Sequence, residues 1–346
     1  MMTFEDIIGV KSDTFHLTSS VRNSNIRPAK VLHVFFIAGN PGTLHFYTTF
    51  LEKLFNGIVD SPYFVRYDVI KLHGVGHANH HLEGRSCESS TAAEDAESFN
   101  LEFQILHKLS FISSVLDCSS DASSAEQSDC EIMLIGHSIG AYMVIDALQR
   151  CEQLTFRTKH IVLLMPFISW SRLPYLHRAK LSTYSALHPI SNRLLTSIAS
   201  PVLKLEPCTK RKLVSRVTTL KGEPLKIVAD GLMNMRLLRN FLAMGIDEIR
   251  DVKTNQLRMS LLLETLDASG TANIFILYTD NDEWAPEADA EHFRQKLKSN
   301  TTIVIEPGLT HAFSLTDLRM EKTCFHILEH FSKKSRIGGK KLMSRL

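Results

Sequence analysis

Glu131-Ile-Met-Leu-Ile135 runs without a break into Gly136-His137-Ser138-Ile139-Gly140, and Ala141 to Cys151 continues with small and apolar residues at helical spacing. An apolar run of strand length, a tight turn and a helix are read directly from this stretch. The turn fits G-x-S-x-G. The pentapeptide alone is a weak signal, because it arises by chance in many chains. Between a buried strand and a small-residue helix it is a strong one. The chemistry needs a serine on a sharp strand-to-helix turn with its hydroxyl above the sheet, and glycines on both sides let the two backbones close on each other. The alternative for Ser138 is an ordinary turn with a capping serine.

The same alternation extends outward. Val31-Leu-His-Val-Phe-Phe-Ile-Ala38 reads as a buried strand stopped by Gly39-Asn40-Pro41-Gly42. His45 to Gly57 has helical spacing, and Tyr63 to Leu72 reads as a second strand ending in His73-Gly74-Val75-Gly76-His77. Thr91 to Leu116 predicts a long helix, Asp117 to Asp129 an exposed Ser/Asp/Ala loop, and His160 to Phe167 a fourth strand. Strand and helix alternate to residue 168, which argues for right-handed βαβ crossovers and a parallel sheet. From 169 to 271 there are helical stretches, such as Leu232 to Met244, and no convincing strand. Alternation resumes with Asn273–Thr279, Ala285–Lys298, Thr301–Glu306 and Ser314–Phe331 as strand, helix, strand, helix. The expected organisation is a core of residues 1–168 and 272–332, a helical cap or lid inserted at 169–271, and a basic tail at 333–346.

A serine hydroxyl is a weak nucleophile that needs a base, and the base needs an orienting acid. In a fold of this kind the chain order is serine, acid, histidine. Asn273–Thr279 ends in Asp280-Asn281-Asp282-Glu283-Trp284-Ala285-Pro286, and Thr301–Glu306 is followed by Pro307-Gly308-Leu309-Thr310-His311-Ala312-Phe313. Both loops follow strand C-terminal ends, where such sheets gather their sites. His311 is the candidate base. Asp282, Asp280 and Glu283 compete as the acid: Asp280 lies nearest the strand end, while Asp282 sits where a bend toward the histidine is easiest. The developing oxyanion needs two fixed donors. The backbone N–H of Ile139, directly after the serine, is one; that of Asn40, in the loop after the first central strand, is the other.

His73, His77, His80 and His81 form a cluster, but Gly74 and Gly76 argue against a helix, and no cysteine or close carboxylate completes a ligand set. No metal and no cofactor is expected. The loop reads as a rim of the active-site mouth, with His73 or His77 bonded to backbone.

Taken together, Ile37-Ala-Gly-Asn-Pro-Gly42 with Phe46-Tyr47, His73-Gly-Val-Gly-His77, Gly136-His-Ser-Ile-Gly140, Asp282-Glu-Trp-Ala-Pro286 and His311-Ala-Phe313 resemble the α/β-hydrolase superfamily, and within it the lipid droplet-associated hydrolase family. The resemblance spans residues 30 to 332. It implies an α/β-hydrolase fold: a mostly parallel central sheet with helices on both faces and a helical cap insertion. It also implies a serine hydrolase acting on carboxylic esters of lipids, sterol or acylglycerol, at the lipid droplet surface, with Ser138, Asp282 and His311 as triad. Glu283 stands where the family's acid loop carries glycine, and Ala38 where proline is common. An acyltransferase using the same triad and a lipid-binding protein with little turnover are the competing readings.

Composition sets the frame for these motifs. In 346 residues, Lys+Arg 39 against Asp+Glu 37 leaves a net charge of +2, which excludes a general polyanion binder and gives no expectation of nucleic acid. Hydrophobic content of 44% and charged content of 22% are globular values, so a large core can form. The six cysteines show no CxxC and no regular spacing, which points to free thiols rather than a disulfide framework or zinc site. The first residues carry two early acids and no apolar run, unlike a secretory signal, and no run approaches the ~20 residues of a membrane helix. A soluble or peripheral, intracellular protein is therefore expected. Trp170, Leu173, Tyr175, Leu176, Leu194, Leu195, Ile198, Val202 and Leu203, with Arg172, Arg178 and Lys180, are candidate contacts to a lipid monolayer. Lipid droplet surface and cytosol are the expected locations. Ser344-Arg345-Leu346, one conservative change from S-K-L, offers the peroxisome as an alternative.

Overall fold

The computed structural model describes residues 2–20, 30–82, 99–118, 130–187, 197 and 199–343. Among them one eight-stranded sheet contains β1 (Met2–Ile7), β2 (Val10–Thr18), β3 (Val31–Ile37), β4 (Val69–Val75), β5 (Cys130–His137), β6 (Thr158–Leu164), β7 (Asn273–Thr279) and β8 (Thr301–Glu306). Their order is β1-β2-β4-β3-β5-β6-β7-β8. The β1–β2 and β2–β4 pairs are antiparallel and the others parallel. Buried parallel strands read as continuous apolar runs, and β3, β5, β6 and β7 do. The sheet was expected as mostly parallel, and it is.

The helices around it are α1 (Thr48–Asp60), α2 (Leu101–Cys118), α3 (Ile139–Arg150), α4 (Glu152–Arg157), α5 (Tyr175–Ala186), α6 (Pro207–Val217), α7 (Gly222–Lys226), α8 (Met235–Ser269), α9 (Glu287–Lys296) and α10 (Asp317–Met343). Strand β3 shows how they divide. Phe36 packs on Phe50 of α1 at 6.0 Å between ring centroids, whereas its neighbour Phe35 meets Phe111 of α2 at 6.2 Å. Adjacent strand residues point to opposite faces, so α1 and α2 cover opposite sides of the sheet. α10 packs beside α1, and α3 beside α2.

The described residues between β6 and β7 contain helices and no strand. Their largest element is α8, with 35 residues and a length of roughly 50 Å. Its ends are well specified. The Asn234 side chain accepts the Leu237 N–H at 2.8 Å, and Gly270, at φ 65°, stops the helix in the left-handed region. The far end is fixed to the sheet: Asp267 accepts the backbone N–H groups of Lys298, Ser299 and Asn300 at 3.0, 3.0 and 2.8 Å, just before β8. Midway, Arg258 binds the buried Asp146 carboxylate of α3 at 2.6 Å.

Several expectations are displaced. The second central strand begins at Val69 rather than Tyr63, because Pro62–Phe64 forms a 3-10 turn capped by Ser61 and the chain joins the sheet only where Asp68 accepts the Lys30 N–H at 2.8 Å. The β1–β2 hairpin was not expected at all; its short strands alternate weakly, and Ile8 and Gly9 turn at φ 49° and 79°. Helix α2 starts at Leu101; the expected start at Thr91 and most of the Asp117–Asp129 loop fall outside the described residues. The basic segment expected as a tail from Lys333 continues as helix α10 to Met343: Lys, Arg, Leu and Met there are good helix formers and no proline intervenes, although Gly338 and Gly339 are poor ones. Ser344, Arg345 and Leu346 lie outside the described residues.

Candidate active site

Ser138 sits between β5 and α3 at φ 55°, ψ −123°, a strained conformation for a residue with a side chain. Surrounding bonds hold it there. Its N–H donates to the Leu164 carbonyl at 2.9 Å, and its carbonyl accepts from Ala141 and Phe167 at 3.0 and 3.2 Å. The flanking glycines are required by space. A Cβ on Gly136 would lie 2.5 Å from the Gly140 carbonyl oxygen, and one on Gly140 would lie 2.4 Å from that of Ile37.

His311, in the loop after β8, reaches this serine: its Nε2 lies 2.8 Å from Ser138 Oγ. Its Nδ1 lies 2.8 Å from Asp282 Oδ2. A carboxylate only accepts, so Nδ1 carries the proton and Nε2 is left to accept from the serine hydroxyl. Asp282 is buried, and its Oδ1 also accepts the N–H groups of Trp284 and Ala285 at 2.8 and 3.0 Å. Burial alone would raise this carboxyl. The hydrogen bond and charge of His311 and the two amides outweigh it and hold the group below the ordinary aspartate value.

The three acids left open by the sequence go to three different places. Asn281, at φ 54°, reverses the chain between the two aspartates. Asp280 therefore faces away and accepts the Gly308 N–H at 2.8 Å, Asp282 faces His311, and Glu283 reaches His177 of α5 at 3.1 Å.

Ile139 opens α3, and the first amides of a helix have no acceptor within it. Gly39 packs directly on Ser138, and Asn40 lines the cavity above it. The side chain of Asn40 donates to the Phe241 carbonyl of α8 at 3.1 Å. This loop is supported from behind by the histidine-rich segment, whose expected place at the rim is corrected by the structure. His77 is wholly buried and its N–H donates to the Gly42 carbonyl at 2.8 Å; His80, not His73 or His77, bonds backbone through its ring, donating to the Pro41 carbonyl at 2.6 Å. His73 is inside the sheet, bonded to His16 and His33 at 2.9 and 3.2 Å. It sits there because β4 runs on through Val75.

A cavity of about 520 Å³ opens over Ser138 and His311. Leu237, Phe241, Gly245 and Glu248 or Ile249, spaced along one face of α8, form one wall; Leu181 and Tyr184 of α5, with Trp284, form another. The lining is mostly apolar. Three residues here were not anticipated: His137, Tyr47 and Glu248. His137 occupies the variable position of the motif, where no pattern marks it. Its Nδ1 lies 2.8 Å from the Tyr47 hydroxyl and its Nε2 lies 2.9 Å from the His311 carbonyl. Of the expected monolayer contacts, Tyr175 and Leu176 are exposed, but Trp170 and Leu173 are buried in the core and Arg172 turns inward to Asp289 at 2.9 Å. Leu194, Leu195 and Ile198 lie outside the described residues. No helix among the described residues is long and apolar enough to cross a membrane.

Comparison with known proteins agrees with this architecture. In solved structures the fold recurs in a haloalkane dehalogenase from Agrobacterium tumefaciens (TM-score 0.56, 12% identity, 96% of each chain covered). It recurs also in an N-formylmaleamic acid deformylase from Pseudomonas putida (TM-score 0.53, 14% identity, 94% of this chain and 99% of that one). At such identity the likeness shows an α/β-hydrolase fold and no shared reaction. The sequence is 25% identical over 285 residues to a lipid droplet-associated hydrolase of Gallus gallus, covering 81% of this chain and 78% of that protein. It is 23% identical over 303 residues to one of Dictyostelium discoideum, covering 86% and 85%. The profile of the lipid-droplet associated hydrolases matches residues 30–314. The chain is a hydrolase-fold protein and belongs to the lipid-droplet associated hydrolase family.

Proposed function

We propose that this protein is a serine hydrolase that cleaves carboxylic esters of lipids at the lipid droplet surface. The observation that carries the reading is the unbroken relay of two 2.8 Å contacts, Ser138 Oγ to His311 Nε2 and His311 Nδ1 to Asp282 Oδ2. In the reaction, Ser138 Oγ attacks the ester carbonyl while His311 Nε2 takes its proton. Asp282 holds the imidazole and stabilises its positive charge. The N–H groups of Ile139 and Asn40 receive the oxyanion. His311 returns the proton to the departing alcohol, and water, deprotonated by the same nitrogen, cleaves the acyl-serine. No step requires a cofactor or metal.

The apolar lining suits an acyl chain, and residues 169–271 act as the lid over it. The names of the family's members put them at lipid droplets, and Tyr175 and Leu176 give the lid an apolar outer surface. The test is a fluorophosphonate probe on purified protein, followed by turnover of short- and long-chain acyl esters. Ser138 should be labelled and Ser138→Ala should be silent in both assays while remaining folded. A Ser138→Ala protein that still hydrolyses esters would overturn the reading.

A further inference from the structure

Gly245 stands inside α8 and lines the cavity over Ser138. Glycine within a helix is unfavourable, because it loses more chain freedom on folding than any other residue. A helix carries one where a neighbour comes too close for a methyl group. That reason holds at Gly57 of α1, where a Cβ would lie 2.3 Å from the Leu328 side chain of α10. It fails at Gly245. Among the described residues, a Cβ there would meet only the side-chain nitrogen of Asn40, at an ordinary contact distance of 3.7 Å. Neither the helical backbone nor the neighbours demand glycine at this position.

What the missing side chain leaves is space. Phe241 and Ile249, one helical turn to either side, put large apolar side chains into the same lining, so residue 245 is a notch in the α8 wall. The notch borders the loop beside the serine: its nearest neighbour is Asn40, and Gly39 next to Asn40 packs on Ser138. In the reaction proposed above, this loop holds the ester carbonyl oxygen. Room beside it is room for the atoms attached to the carbonyl carbon, namely the first carbon of the acyl chain or the carbon that bears the ester oxygen. A straight chain has only hydrogens to place there and needs no notch. A branched carbon does need one, and with Phe241, Leu242, Ile249 and Trp284 in the lining the branch is hydrocarbon.

We propose that Gly245 sets the specificity of the site, and that the notch it leaves takes an alkyl branch next to the ester group, so that the substrate is a lipid ester branched at one of those two carbons. As a statement about substrate this rests on the ester-hydrolase reading above. The branch can lie on the acid, as in a 2-methyl acyl chain, or on the alcohol, as in an ester of a secondary alcohol.

The test compares turnover of three isomeric esters by the full-length protein: hexyl hexanoate, unbranched; hexyl 2-methylpentanoate, branched on the acid; and hexan-2-yl hexanoate, branched on the alcohol. For the wild type, kcat/KM of at least one branched isomer should equal or exceed that of the linear one, and the better branched isomer identifies the side. Gly245→Leu, whose side chain fills the notch, should lower the ratio of that isomer to the linear ester by at least about tenfold. Gly245→Ala should cause a smaller fall in the same direction. Both replacements favour a helix over glycine, so both variants should melt no lower than the wild type, and the alanine variant carries the comparison if the leucine variant does not fold. A wild type that prefers the linear ester to both isomers, or a ratio that the substitutions leave unchanged, would overturn the notch. If the wild type turned over none of the three esters, the hydrolase reading would fail instead. Calorimetric binding of the same esters to Ser138→Ala protein, with and without Gly245→Leu, would then decide the notch by the same ratio.

Discussion

His137 Nε2 stands 2.9 Å from the carbonyl oxygen of His311. A carbonyl only accepts, so His137 donates from Nε2, and its Nδ1 accepts from the Tyr47 hydroxyl. Burial first, then the nearby His311, push its ring down to about 3, which keeps it neutral. The residue before Ser138 thus braces the main chain of the histidine whose ring is bonded to Ser138. In the reaction proposed above it would touch no reacting atom and would act by positioning His311.

His137→Phe should keep the ring packing against Phe313 and lose the brace. Expected is a fall in kcat of about 10- to 100-fold, the scale of a small misplacement of a reacting group, with KM little changed. His137→Asn, which can still donate, should recover part of the loss. Unchanged kcat in the phenylalanine variant would show that His311 holds its place without this bond.

The buried neutral histidines also predict how the protein meets acid. Burial lowers His137 to about 3 and His33 and His80 to about 4, against 6.5 in the unfolded chain. Between these values the unfolded state binds more protons, so stability is intact above pH 6.5 and falls as pH drops through the window. At pH 5 each such group costs about 2 kcal/mol. Melting temperature should be flat from pH 8 to 7 and drop steeply by pH 5. A flat profile through pH 5 would mean that these rings take up protons without opening the fold.

The sheet centre was legible because buried parallel strands have a signature: β3 and β7 occur within a residue of the spans expected, and the Gly136–Gly140 turn lies between strand and helix as read; β8, a half-buried strand at the sheet edge, also occurs at the residues expected. What the sequence hid was long-range. Nothing near Glu248 says that α8 will lay it over Ser138, because it occupies a helical position like any charged surface residue. Nothing near His73 says that β4 will extend through it and bury it. Among the three acids, only the αL turn at Asn281 decides which one faces His311, and a single residue's φ is not written in a hydrophobic pattern.

Gly136→Ala and Gly140→Ala should both fail at the turn. The new methyl would meet backbone carbonyl oxygens at 2.5 and 2.4 Å, and backbone cannot move aside like the end of a side chain. Destabilisation of about 1–3 kcal/mol is expected for such overpacking, with loss of probe labelling in whatever protein remains folded. Normal labelling of either variant would mean that the strand and helix can separate without moving Ser138.

The acid loop allows a direct contrast. Asp282→Asn should lower turnover by about 10⁴, because the neutral amide neither fixes the tautomer of His311 nor stabilises its charge. Asp280→Asn should cost little activity, since its amide oxygen can still accept from Gly308. Comparable losses in the two variants would remove Asp282 from its assigned role.

Attachment to a droplet should depend on α5. Tyr175 and Leu176 open this helix and are 75% and 72% exposed, while Leu181 and Tyr184 of the same helix line the cavity. One face thus points to solvent with two large apolar side chains, and Lys180 beside them is exposed. Large apolar side chains entering a lipid layer each contribute about 1.5–3 kcal/mol. Tyr175→Glu with Leu176→Glu should therefore reduce partitioning onto droplets or phospholipid-coated triglyceride emulsions by more than about tenfold. Turnover of a water-soluble short-chain ester should be unaffected, because neither residue lines the cavity. If the double variant still floats with the lipid as the wild type does, α5 is not the docking face, and the exposed Leu257 and Leu261 of α8 become the next surface to change.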